Sequence, residues 1–246
     1  MASNTSYLII CVLVVYILLT VRYYYRTSSN LEIIQLPEDG FDISEWNSSI
    51  ETRNPIIFFL DIDLTITATF SKINFGPELI TCVSGNQLVK MPGLEFEKLC
   101  RNTESHSDFK NIYFKSKSKQ IKNIFEPYLS TISKSLIGSS GYSIIYPKSC
   151  GSLLEQTKSY LLWYQTDGIC KLLLFPNNDS NKKILSKKLH DNPNLNFWKD
   201  KERLDGTNYI EIVLNPTQVL AIPPHWWYTV DSQSTSVVFQ VNDIRF

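Results

Sequence analysis

With 246 residues the chain has room for one domain of ordinary size plus a terminal extension, and two full domains would be cramped. Its 24 Lys and Arg balance 24 Asp and Glu, so no overall field selects nucleic acid or an acidic surface as the partner. Aromatics make up 13% of the chain and often flank β-branched residues, which favours pleated sheet over a helical bundle. The five cysteines, Cys11, Cys82, Cys100, Cys150 and Cys170, include no C-x-x-C pair. They read as reduced thiols rather than a zinc site or a disulfide framework.

Taken in chain order, residues 7–21 read YLIICVLVVYILLTV without a charge, and Tyr23, Tyr24 and Tyr25 extend the run toward an interface. The 19 residues 7–25 would reach about 28 Å as a helix, close to the ~30 Å hydrocarbon core of a bilayer. The preceding MASNTS has no basic side chain, and Arg22-Tyr23-Tyr24-Tyr25-Arg26 follows where a cleaved leader would have small residues. A retained single-pass membrane anchor is therefore expected, with the lipid bilayer as partner of residues 7–25. Arg22 and Arg26 on the C-terminal flank assign the following domain to the cytosolic side, while Asn47 and Asn178 head glycosylation triplets that a luminal domain would expose.

Residues 1–26 thus form the anchor and its flanks, 27–55 a polar juxtamembrane linker with one short element around Ile33 to Leu36, and 56–246 the domain. From Ile56, IIFFLDIDLTITATF predicts a two-faced strand: Asp61, Asp63, Thr65, Thr67 and Thr69 alternate with Ile62, Leu64, Ile66 and Ala68. Turn signals at Gly76-Pro77, Ser84-Gly85-Asn86 and Pro92-Gly93 predict an irregular hairpin over 71–93. The charged stretch 94–120, with KSKSKQ inside it, reads as a solvated loop, and the spacing over Ile121 to Ile137 predicts a helix interrupted or restarted at Pro127.

Seven strands follow, over Tyr142–Tyr146, Tyr160–Gln165, Ile169–Phe175, Tyr209–Leu214, Gln218–Ile222, Trp227–Val230 and Ser236–Val241. Their close spacing predicts a mainly β (α+β) fold of sandwich or barrel type.

Within this region, residues 210–241, IEIVLNPTQVLAIPPHWWYTVDSQSTSVVFQV, carry Leu214, Pro216, Leu220, Ile222, Pro223, Trp226, Trp227, Val230, Ser234, Ser236 and Val237 at a distinctive spacing. Upstream, WYQTDGICKLLLFP sets Gly168 and Pro176 around a strand. In order and separation these blocks resemble the distal half of the cupin-like (JmjC-type) family, with the segment before Gly141 matching loosely. The resemblance implies a double-stranded β-helix (jelly roll) with flanking helices. Its members hold ferrous iron through a His-x-Asp/Glu pair and a distal His, alongside 2-oxoglutarate.

Each chemical position departs from that pattern. Tyr228 stands where the distal His belongs, and an ungapped count back from Gly168 puts the His-x-Asp pair at Glu155 and Thr157. The lysine that would meet 2-oxoglutarate falls at Cys170; Lys171, one place on, would point to the other face. The family's Gly-Asp turn becomes Thr217-Gln218. No cofactor is expected, and the resemblance implies a binding or structural module. An iron/2-oxoglutarate oxygenase with unusual ligands, such as the Glu155 carboxylate and the Tyr228 phenolate, is the alternative.

Other groups have plainer readings. His106-Ser107-Asp108 is a literal His-x-Asp in a polar loop, His190-Asp191-Asn192-Pro193 reads as a turn, and His225 as a surface or capping residue. Trp226 and Trp227 read as core plugs, with the mouth of a binding cleft as the other reading. A second alternative comes from FFLDIDLT, which matches the hhhhDxDxT motif of haloacid-dehalogenase-like phosphatases. In those enzymes Asp61 would be nucleophile and Asp63 acid/base around magnesium, but the chain would leave the strand just after Asp61, where this sequence keeps alternating.

Overall fold

A computed structural model describes residues 2–25, 31–38, 42–60, 79–84, 87–95, 98, 107–109, 142–145, 149–151, 153–156, 160–192, 195, 197–198, 201–234 and 236–241. Helix α1 spans Ala2–Tyr25. Its described side chains from Tyr7 to Leu19 are all exposed, although they are almost wholly apolar. Among the described residues no helix is long and apolar enough to cross a membrane.

After β1 (Ile34–Gln35) the chain forms α2 (Ile43–Thr52), a helix where the sequence reads as linker. Asp42 caps α2 by accepting a 2.7 Å hydrogen bond from the Ser44 amide, which holds the Asp42 carboxyl below its ordinary range. Arg53 closes the other end in the left-handed region, its amide donating to the Ile50 carbonyl. Trp46 and Ile50, four residues apart on one helix face, are fully buried, and Trp46 meets Phe58 edge-to-face at 5.1 Å. The helix is stapled further: Tyr160 Oη donates to the Ile50 carbonyl at 2.8 Å and Trp226 Nε1 to the Arg53 carbonyl at 3.1 Å. The Ile33–Leu36 element appears as β1, paired parallel to β2 (Ile56–Phe59). Polar composition hid α2 because, among its described side chains, Trp46 and Ile50 are the apolar ones that enter the core.

The remaining strands are β3 (Leu79–Ser84), β4 (Gln87–Pro92), β5 (Ser107–Phe109), β6 (Tyr142–Ile145), β7 (Ser149–Gly151), β8 (Leu154–Glu155), β9 (Tyr160–Gln165), β10 (Cys170–Phe175), β11 (Ile210–Leu214), β12 (Gln218–Ile222), β13 (Trp227–Ser232) and β14 (Ser236–Val241). They form two mostly antiparallel sheets: β1-β2-β12-β9-β14-β6, and β11-β10-β13-β7-β5-β3-β4 with β8 also on β13. From β6 onward the chain alternates between them: β6 in the first, β7 and β8 in the second, β9 first, β10 and β11 second, β12 first, β13 second, β14 first.

Two expectations differ in detail: the stretch read as a charged loop contains β5, and His190 lies in the last turn of α3 (Asp179–Asp191), not in a turn. β7 and β8 carry too few residues to show a period. Helix α3 went unread because one buried apolar residue, Leu185, faces the sheet, beside the buried Asn181. Asn181 Nδ2 donates to the carbonyls of Pro176 and Asn208, tying α3 to both flanking segments. The helix predicted over 121–137, with His106, Asp61 and Asp63, lies outside the described residues.

Between the sheets lies the main core, including Leu161, Trp163, Leu172, Leu174, Ile212, Leu214, Tyr228 and Val230. A second cluster on the outer face of the second sheet, Leu173, Phe175, Leu185, Phe197 and Trp227, lies under α3. Loss of a buried Trp typically costs about 3–5 kcal/mol. Trp46→Ala should therefore lower the denaturant midpoint of the whole β domain in a single transition; an unchanged midpoint would make α2 the mere linker its composition resembles.

Candidate functional site

The two sheets have two distinguishable ends. At one, the β9–β10, β11–β12 and β13–β14 turns meet; at the other, β12 passes into β13 through Pro223-Pro224-His225-Trp226. Two tight turns are held in the left-handed region by residues other than glycine, Thr217 (φ 72°), where the resemblance expects Gly-Asp, and His225 (φ 68°). His225 also donates its amide to the Gln156 carbonyl, and Gln156 donates its own to Trp226 at 2.9 Å, so β8 pairing continues past Glu155.

Strand β13 alternates strictly. Tyr228 and Val230 face the inter-sheet core, while Trp227 faces the α3 side. In the antiparallel β8–β13 pair Tyr228 stands opposite Leu154, and Trp227 opposite Glu155. Directly paired residues share a face. Leu154 is accordingly packed against the main core, and Glu155 sits on the face away from Tyr228. Of the two proximal positions that the ungapped count gives, Glu155 therefore does not share Tyr228's side, whereas Leu154 does. Gln156 is buried; Thr157 lies outside the described residues.

Tyr228 itself is 3% exposed, and its ring meets Trp163 of β9 edge-to-face with centroids 6.4 Å apart. Such a pair contributes about 0.5–1.5 kcal/mol beyond its area. At the first end, Cys170 is fully buried in the same core, while Lys171 is paired with Asp231 and Val213 on the outer face. Burial dominates the Cys170 thiol and pushes it up from 9.0 to about 12, with weaker opposing hydrogen bonds to Ser236 and Ser232. Around it Gln165 Nε2 donates to the Asp167 carbonyl and to Ser234 Oγ, both at 2.6 Å, and Ser236 Oγ donates to Gln165 Oε1 at 2.7 Å. Ser234 Oγ then donates to the Ile169 carbonyl at 3.2 Å. This network locks the β9–β10 turn to the β13–β14 turn. Gly168 (φ 58°) is required there, since a Cβ would lie 2.7 Å from Ser234 Cβ.

The other scaffold positions are structural as well. Pro176 is buried and its carbonyl accepts from Asn178 and Asn181. Pro223 is buried at the turn, Trp226 is fully buried and Trp227 is 9% exposed. Sequence reasoning passed over Leu154, Gln156, Trp163 and Gln165, whose inward position is set by register rather than by residue type.

The donor set does not suit ferrous iron. Tyr228 has an aliphatic neighbour across the strand, the only nearby carboxylate of β8 is on the opposite face, and imidazole is absent from the described interior positions. Among the described residues no group of three or more His, Cys, Asp or Glu side chains gathers to hold an ion. No family model matches the chain, and no curated protein matches its sequence.

The thiol supplies a test of the packing. Its folded pKa lies above its unfolded value, so its contribution to stability is complete below pH 9.0 and is lost as pH rises toward about 12. Wild type should lose stability faster than Cys170→Ala across that window, by up to about 1.4 kcal/mol per pH unit. Equal slopes would mean the thiol is not in the dry core.

Proposed function

We propose that the chain is a membrane-anchored protein whose domain is a double-stranded β-helix of the cupin-like (JmjC-type) kind, without iron/2-oxoglutarate chemistry, serving as a binding or structural module. Support for the jelly roll comes from spatial orders β6-β14-β9-β12 and β8-β13-β10-β11, in which successive strands alternate sheets apart from the β10–β11 hairpin, as in two Greek keys. The sequence blocks that carry the resemblance flank these strands, Gly168 and Pro176 on either side of β10, and Pro223, Trp226 and Trp227 at the passage from β12 to β13.

The observation that carries the non-oxygenase reading is the Tyr228–Leu154 pair. It sets a phenol against an aliphatic side chain where the chemistry would demand imidazole and carboxylate on one face. Support for the anchor comes from α1: a helix apolar on all sides and exposed along its described length needs a hydrocarbon environment. With Arg22 and Arg26 following the apolar run, the domain lies on the cytosolic side.

Purified full-length protein, loaded anaerobically with ferrous iron and then given 2-oxoglutarate and oxygen, should retain far less than one iron per chain and form no succinate above a protein-free control. Stoichiometric iron with succinate release would establish the oxygenase alternative. Alkaline carbonate should leave the protein in the membrane fraction, and its release would remove the anchor.

A further inference from the structure

The register relations determine which end of the domain lies nearest α1. Strand β1 runs parallel to β2, with Ile34 beside Ile56, and Ile56 is paired with Ala221 at the end of β12. The chain therefore joins the domain at the end where β12 turns into β13 through His225 and Trp226. Eight residues, 26–33, separate the last residue of α1 from β1. Even fully extended they reach about 28 Å, whereas a globular domain of this size is about 45 Å across.

Exposed apolar side chains are concentrated at that same end. Leu31, 47% exposed, precedes β1. Leu79, 69% exposed, opens β3 and pairs with Pro92, so Leu94, 41% exposed, follows at the same place. The ladder β3–β5–β7–β13 fixes their level. Cys82 pairs with Phe109, Phe109 with Gly151, and β7 runs from Ser149, opposite Ser232, toward the start of β13. Leu79, three residues before Cys82, thus lies at the Trp227 end. Tyr209, 38% exposed, precedes Ile210, which pairs with Leu174 near that end as well. Of the exposed large apolar side chains in the described domain, only Ile169 and Val213 lie elsewhere, toward the Cys170 end.

We infer that this end, with Leu31, Leu79, Leu94 and Tyr209 around the His225–Trp226 turn, rests on the bilayer that holds α1. The inference depends on the anchor proposed above. A short tether raises the local concentration of lipid at this end, and several exposed apolar side chains beside a membrane gain by entering the headgroup–acyl boundary. The occupant is the lipid surface itself.

The test is hydroxyl-radical footprinting of the full chain in phosphatidylcholine nanodiscs, read by mass spectrometry and corrected for intrinsic side-chain reactivity. Without lipid cover, Leu79 at 69% exposed must label more than Val213 at 46% or Ile169 at 40%. On the bilayer the order should invert, with Leu79 and Leu94 labelled roughly threefold or more below Ile169 and Val213. Labelling that follows free exposure in nanodisc-bound protein would overturn the inference while leaving the anchor standing. Failure of the protein to co-purify with nanodiscs would overturn the anchor, and this inference with it.

Discussion

The register between β8 and β13 governs how the interior is furnished. Because successive side chains of a strand point to opposite faces, a single antiparallel pairing decides which residues see the space between the sheets. Here it sets Leu154 against Tyr228 inside and Glu155 against Trp227 outside. Trp163 then closes on Tyr228 from the facing sheet. The same parity carries Cys170, Leu172 and Leu174 inward on β10 and sends Leu173 and Phe175 toward α3. The consequence is phenol, indole and aliphatic groups packed together between the two sheets.

Two layers support that arrangement from outside. Helix α2 contributes Trp46 and Ile50 to the first sheet and accepts hydrogen bonds from Tyr160 and Trp226, so the two sheets share an anchor point on its C-terminal turn. Helix α3 covers the second sheet, its few apolar contacts strengthened by Asn181, whose buried amide satisfies two backbone carbonyls. At the far end the Gln165–Ser234–Ser236 network satisfies every polar group it draws in, allowing hydroxyls and an amide to sit beside the Cys170 thiol.

Much of the β architecture was legible in the sequence. Strands β9, β12 and β14 match their predicted bounds, and β10, β11 and β13 differ by one or two residues, because each is long enough and apolar enough to declare its period. Short elements were not legible. β7 and β8 hold three and two residues, and neither displays an alternation. With no period to read at β8, a count shifted by one residue reverses the face, which is why the sequence did not show that Glu155 pairs with Trp227 rather than with Tyr228. α2 and α3 were hidden for a different reason, since each reaches the core through one or two residues on an otherwise polar surface. The place of Tyr228 on β13, by contrast, was readable directly after Trp226-Trp227 on a well-defined strand.

The parity claim can be tested by building the missing site on each face. Two triple variants would be titrated with Co(II), a spectroscopic surrogate for ferrous iron: Leu154→His with Gln156→Asp and Tyr228→His, and Glu155→His with Thr157→Asp and Tyr228→His. The account predicts visible ligand-field bands at one Co(II) per chain for the first variant alone, with folding of both checked by circular dichroism. Stoichiometric bands from the second variant, or from the wild-type chain, would contradict it.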